Sequence, residues 1–239
     1  VRPLSLDCEE VAGIPICYDE REGFMHHKFL VVDGRAVWTG STNMTWNAFA
    51  RNNENSLLLP SPTLAQGYAR EFEALFGGQK EGLGQPVAFA LEAVEGVAYF
   101  SPRGGRLARE ALLKRLSEAQ REVLVAAFVL TDRELVEALK EAHGRGLSVR
   151  ILLERRNLGD SREEDLLRAG VPVRQDANPY TMHHKVMVLD GTYVVTGSYN
   201  FSVRAHEVNN ENLLVLKSPS LAERYRKEVL RLWEAGSPL

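Results

Sequence analysis

The chain alternates short apolar, β-branched runs with stretches of helical period. The runs at 98–100, 123–129, 148–153, 171–174, 185–189, 193–196 and 212–216 have the length and composition of strands. Between several of them apolar residues recur every three to four positions, as on one face of a helix. Thr131 with Glu134 and Ser161 with Glu164 read as capping boxes, and Gly144 and Gly170 as the stops of those helices. Thr63 with Gln66 and Ser220 with Glu223 repeat the start signal near the end of each half. The pattern predicts an α/β fold in which helices flank mixed β-sheets.

The pattern is also written twice. AGIPICYDEREGFMHHKFLVVDG from Ala12 aligns without a gap with AGVPVRQDANPYTMHHKVMVLDG from Ala169. Farther on, TGSTN at Thr39 meets TGSYN at Thr196, and NNENSLLLPSP at Asn52 meets NNENLLVLKSP at Asn209. Two copies at one long period indicate a duplicated, pseudo-twofold fold rather than a solenoid of short repeats. The predicted division is a first lobe at 1–76, a Gly-rich linker at 77–86 and a second lobe at 87–239. Position 1 aligns with Leu158, so two strands and two helices of the second copy have no counterpart in the first. The first lobe is therefore expected to be incomplete at its N-terminus. Either the chain is a fragment or something else completes its first sheet.

Composition narrows the field. A chain of 239 residues, 44% hydrophobic, can bury a substantial core. The net charge of -3 gives no global basic footprint, so a polyanion would have to be held by a local positive cluster. Cys8 and Cys17 are the only cysteines, too few for a disulfide scaffold and without the spacing of a zinc site. No apolar run approaches the ~20 residues that span a bilayer, so no transmembrane segment is expected.

The repeated residues carry the chemistry. The segment 28–32 reads as a strand, Asp33-Gly34 as its hairpin turn and 36–39 as the returning strand. A side-chain period of two puts His26 with Lys28 on one face and His27 on the other; His183, Lys185 and His184 follow the same parity. Asp33 and Asp190 fall in the turns and read as structural. A fixed ammonium beside an imidazole repels a metal cation and attracts an anion, so no metal or cofactor is expected. Gly40, Ser41 and Asn43 open the next loop, and Gly197, Ser198 and Asn200 repeat them. With the lysines they are expected to cradle phosphate oxygens, the glycines admitting backbone N–H groups and the serines offering hydroxyls. Glu54 follows His26 at the spacing at which Glu211 follows His183, which pairs each carboxylate with the far ring nitrogen of its own histidine. Arg51 and Arg204 are candidates for further phosphate contacts.

One such set is half of a mechanism. Phosphodiester cleavage is too slow for a single acid or base, worth about 10²- to 10⁴-fold, to suffice. Two facing sets supply a nucleophilic imidazole that forms a phosphohistidine and a second imidazole that protonates the leaving alkoxide. HHKFLVVD and HHKVMVLD both fit H-x-K-x4-D, followed by G-S-x-N and a downstream glutamate. In this the chain resembles the phospholipase D superfamily over almost its whole length. The resemblance implies a two-lobed α/β fold with the site between the lobes and a metal-independent phosphohistidine mechanism. It further implies His26 as nucleophile and His183 as general acid, although the halves are too alike for the residues themselves to assign these roles. The expected activity is a phosphodiesterase acting on DNA or RNA. The alternatives are a phospholipase or phosphatidyltransferase acting on a phospholipid, and a non-catalytic nucleic-acid-binding module.

Overall fold

The computed structural model describes residues 7–239. The chain opens with the hairpin β1 (Asp7–Val11) and β2 (Ile14–Tyr18). Next come β3 (Phe29–Val32), β4 (Ala36–Gly40), α1 (Trp46–Ala50), β5 (Ser56–Leu59) and α2 (Pro62–Phe76). A second hairpin, β6 (Val87–Leu91) and β7 (Val94–Ser101), leads to α3 (Gly105–Glu118), β8 (Glu122–Ala127), α4 (Arg133–Gly144) and β9 (Ser148–Leu153). The chain ends with α5 (Glu163–Arg168), β10 (Val173–Gln175), β11 (Lys185–Leu189), β12 (Tyr193–Gly197), α6 (Val203–Glu207), β13 (Glu211–Lys217), α7 (Pro219–Ala235) and the short β14 (Ser237–Pro238).

A nine-stranded mixed sheet runs in the order β14-β10-β9-β8-β11-β12-β13-β7-β6, and a three-stranded sheet in the order β3-β4-β5. The expected α/β fold of mixed sheets flanked by helices is thus present. β8 and β11 are apolar over nearly their whole length because both faces of the large sheet are covered. One face packs under α3, α4 and α5. The other shares a core with the small sheet and α2, in which Val37, Leu59, Leu64 and Tyr68 meet Val186, Val188, Val194 and Leu214. The segment 77–86 is tied down rather than loose: Glu71 accepts the Leu83 and Gly84 amides at 2.9 and 3.1 Å.

Both hairpin turns read from Asp-Gly are present. Asp33 and Asp190 take positive φ, 50° and 54°, and each is followed by a positive-φ glycine. Asp190 also accepts the backbone amides of Gln120, Arg121 and Glu122 within 3.0 Å, a structural role. The helix starts differ from expectation. Ser61, Asp132 and Ser218 are the caps, not Thr63, Thr131 and Ser220, and α5 has no side-chain cap. Pro62 and Pro219 explain two of these shifts: a proline with preset φ occupies the first helical turn, so the serine before it takes the cap.

The two copies differ most where the first lacks aligned residues. In the large sheet β9 and β8 lie between β10 and β11. The repeat counterparts of β10 and β11 are β2 and β3, which fall in separate sheets among the described residues, β2 paired with β1 and β3 with β4. Residues 7–11, aligned with 164–168 of α5, form β1 instead of a helix, and pair with β2 in a register that joins Cys8 to Cys17 as a disulfide. On β3, Leu30 is 51% exposed, whereas its counterpart Met187 is fully buried. An apolar cavity of about 240 Å³ opens on the His27 side of β3, lined in part by Met25, Phe29, Phe72 and Phe76.

Candidate active site

The catalytic-type residues sit where the two halves cross. Just before β3, Met25 forms a parallel bridge with Asn210, and the His26 amide donates to the Asn210 carbonyl at 3.0 Å. Just before β11, Met182 bridges Asn53 in the same way, and the His183 amide donates to the Asn53 carbonyl at 2.9 Å. Each histidine strand is thus sewn to the NNEN segment of the other half.

This crossing changes the carboxylate pairing. Glu211 bonds His26 Nδ1 at 2.7 Å, and Glu54 bonds His183 Nδ1 at 2.9 Å. The spacing had paired each glutamate with the histidine of its own copy; the structure exchanges them, because NNEN crosses to the opposite strand before its carboxylate can reach an imidazole. The carboxylates are held in turn. Ser41 Oγ donates to Glu54 at 2.5 Å and Ser198 Oγ to Glu211 at 2.7 Å, while Asn52 and Asn209 donate to the other carboxylate oxygens at 3.3 Å. A carboxylate on Nδ1 fixes that nitrogen as the protonated one and leaves the Nε2 lone pair free.

The lysines stand where strand parity put them. Lys28 Nζ donates to the His26 carbonyl and Lys185 Nζ to the His183 carbonyl, each at 2.8 Å. Both are buried. Burial lowers the Lys28 pKa to about 8, against the opposing pull of Glu211 and Glu54. Burial, and next the charge of Lys28, push Lys185 well below the ordinary lysine range. Each lysine therefore senses carboxylates of both halves, as a single shared site requires. His183 is more deeply set than His26, with 8% of its side chain exposed against 22%. Burial lowers its pKa to about 4 despite Glu54, and Phe128 packs edge-on against its ring at 4.6 Å.

The loop residues divide. Asn43 and Asn200 remain half-buried at the loop starts, and the Asn200 Oδ1 is buried without a partner. Ser41 and Ser198 are fully buried, and their hydroxyls are used on the glutamates rather than open to a phosphate. Gly40 and Gly197 also have another reason to be glycine. A Cβ there would stand 2.1 Å from the Asn55 carbonyl oxygen and 2.3 Å from that of Asn212. The amides that follow them donate to those same carbonyls, so the expected backbone cradle is closed into the sheets. Arg51 stacks over Tyr180 at 5.0 Å, and Arg155 and Arg156 both donate to the Pro179 carbonyl, forming a basic cluster on the loop that leads to His183. Arg204, also of the second half, reaches across to the Glu22 carbonyl of the first at 3.4 Å. Phe128, Asn52 and Asn209 were not singled out in the sequence; the identity of NNEN in both copies was a signal for the two asparagines, and Phe128 carried none.

Known proteins are similar to this chain over much of its length. A family model described as "Cardiolipin synthase, PLD-like domain" matches residues 6–76 and 112–233. A mitochondrial cardiolipin hydrolase of Xenopus laevis is 38% identical over 129 residues, covering 53% of this chain and 61% of that protein. The crystal structure of a phospholipase D family member, Nuc from Salmonella typhimurium, superposes with a TM-score of 0.56 at 29% identity, covering 65% of this chain and 99% of that one. Phosphatidylserine synthase of Haemophilus influenzae shares the fold more broadly, with a TM-score of 0.69 over 91% of this chain and 63% of that one, at 13% identity.

Proposed function

This chain belongs to the phospholipase D superfamily, and on that premise we propose that it is a metal-independent phosphodiesterase working through a phosphohistidine. The crossed Glu–His pairs carry the reading: two imidazoles, each with Nδ1 anchored and Nε2 free, beside two buried lysines. The Nε2 of one attacks phosphorus, the P–O ester bond breaks, and the leaving alkoxide takes a proton from the Nε2–H of the other. Water then gives that proton back as it attacks, the P–N bond breaks, and both imidazoles return to their starting states. Lys28, Lys185, Asn43 and Asn200 stabilise the equatorial oxygens. Glu54 and Glu211 orient the rings, with Ser41 and Ser198 holding them and Gly40 and Gly197 allowing the close strand approach. Both glutamates are engaged with imidazoles and the free cationic groups are ammoniums, a donor set that suits an anion better than a metal ion.

Which imidazole attacks is a separate matter. The resemblance assigns attack to His26, whereas burial lowers the His183 pKa to about 4, which leaves it unprotonated at neutral pH. If His183 is the acid, the negative charge of the bound diester must raise its pKa. A p-nitrophenyl diester, whose leaving group needs no acid, assigns the roles: the histidine variant that still releases a burst of p-nitrophenol has lost only the acid.

For the substrate we propose a nucleic acid strand, supported by Arg51, Arg155 and Arg156 around the exposed ring of Tyr180 beside the His183 loop. A phospholipid diester is the second reading, favoured by the names of the family model and the Xenopus relative. The test is incubation in EDTA with labelled single-stranded DNA, RNA or cardiolipin vesicles, alongside His26→Ala and His183→Ala. Nucleic-acid cleavage in EDTA that both substitutions abolish is the expected result. A metal requirement or surviving activity would sink the mechanism, turnover of vesicles alone would select the lipid, and binding without turnover would make the chain a binding module.

A further inference from the structure

Behind the histidines lies a second crossed network with no part in the proton and phosphoryl transfers. Asn55 follows Glu54 directly, and its side chain reaches into the other half. Its Oδ1 accepts from Thr196 Oγ1 at 2.6 Å and from Tyr225 OH at 3.0 Å, while its Nδ2 lies 3.0 Å from His184 Nδ1. The repeat counterparts run the opposite way. Asn212 follows Glu211, and its Nδ2 bonds Thr39 Oγ1 and Tyr68 OH, both at 2.9 Å.

These asparagines stand at a junction. The Asn55 amide donates to Ser41 Oγ at 3.0 Å, the same hydroxyl that holds Glu54. The Asn212 amide does the same to Ser198 Oγ at 2.9 Å, beneath Glu211. One residue thus grips its own half's carboxylate support through its backbone and the other half's histidine strand or its sheet neighbour through its side chain. His184 lies between His183 and Lys185 in sequence. Holding His184 therefore fixes the phase of the strand on which both neighbours project to the opposite face. Tyr225 and Tyr68 come from α7 and α2, so the long helices brace the same points. Buried polar groups cost free energy unless paired, and here the pairing specifies one arrangement of the two halves.

We propose that Asn55 and Asn212 are positioning residues, each holding across the lobe boundary the strand layer of the other half's histidine and lysine and so setting the separation of the two imidazoles. The kinetic consequence rests on the phosphodiesterase reading; the structural consequence does not.

The test uses Asn55→Leu, Asn55→Asp and Tyr225→Phe in the full chain. A misplacement of about 1 Å costs up to about 10²-fold in rate. Asn55→Leu is therefore expected to lower kcat about 10- to 100-fold with KM within about twofold. It should also move the His183 Nδ1–H signal in the proton NMR spectrum at neutral pH. Asn55→Asp keeps an acceptor for Thr196 and Tyr225 and offers another to the Nδ1–H tautomer of neutral His184, so it should recover part of both. Should Asn55→Leu fail to fold, Tyr225→Phe, which removes one hydrogen bond, carries the same test with a smaller kcat loss of about threefold or more. A folded variant with kcat within twofold of the parent and an unmoved His183 signal would overturn the proposal. If the parent chain turns over no diester, the failure belongs to the phosphodiesterase reading, and the NMR signal alone decides the positioning role.

Discussion

Glu54→Gln tests the crossed pairing most directly. The substitution preserves shape and leaves an amide oxygen for Ser41 and His183, but removes the charge that the imidazole faces across the lobe boundary. A hydrogen bond to a charged group contributes about 1.5–3 kcal/mol and a neutral one about 0.5–1.5, so the loss is about 1–2 kcal/mol. At 1.36 kcal/mol per pKa unit, the pKa of His183, already held to about 4 by burial, falls by about one unit more. The same loss in the transition state, where the imidazolium or phosphoimidazolium forms, slows turnover about 5- to 30-fold. The assay is long-range ¹H–¹⁵N NMR of the histidine side chains at pH 7, where the fold is intact, beside kcat on a p-nitrophenyl diester. Glu54→Gln should shift the ring nitrogens of His183 and leave those of His26 in place; Glu211→Gln should do the reverse. If Glu54→Gln instead moves His26 and spares His183, each carboxylate serves its own copy and the crossed site is wrong.

Three further outcomes follow from the same geometry. Burial holds His27 near pKa 3 and His183 and His184 near 4, against about 6.5 when unfolded, so the unfolded chain binds more protons below pH 6.5. Stability should therefore be full above that pH and fall as it drops toward 4, by up to about 3 kcal/mol per histidine, seen as a falling urea midpoint between pH 7 and 5. Lys28 carries its proton only below its pKa of about 8, so kcat/KM, which reports the free enzyme, should decline above that pH while Lys28→Arg flattens the decline. Gly40→Ala and Gly197→Ala should each cost about 2 kcal/mol or more, lowering Tm by about 4–8 °C, because their Cβ atoms would meet strand carbonyls at 2.1 and 2.3 Å; an unchanged Tm would return these glycines to the phosphate-cradle reading.

Much of the fold was legible because it depends on local pattern. The β-branched runs, the Asp-Gly turns and the parity that separates His26 from His27 follow from a two-residue period that tertiary packing does not disturb. Helix starts were missed by two residues where a proline made the preceding serine the better cap. The partners of Ser41, Ser198, Gly40 and Gly197 were misread because a loop position after a strand looks open in sequence. Here the next strand of the sheet covers it. β1 was beyond pattern altogether: its aligned segment is the helix α5 in the second copy, whereas here it pairs with β2.

The crossing of the glutamates marks the boundary of sequence reasoning more sharply. A duplicated sequence is symmetric under exchange of its halves, so an internal pairing and a crossed pairing leave the same spacing on the page. The backbone bonds that join His26 to Asn210 and His183 to Asn53 break the tie. Had the pairings been internal, each half would own a complete but solitary imidazole, and the two could drift apart without loss of either. With them crossed, moving one half away removes the carboxylate from both histidines and the hydrogen-bond partners from Asn55 and Asn212 at once. The geometry between the imidazoles, which a two-histidine mechanism needs to within a fraction of an ångström, is thereby tied to the hydrogen bonds that orient each one. That coupling explains why the motif begins with two histidines: the same short strand presents His26 or His183 to the shared site and turns His27 or His184 inward, where burial and, for His184, the Asn55 amide fix the strand that carries its neighbour.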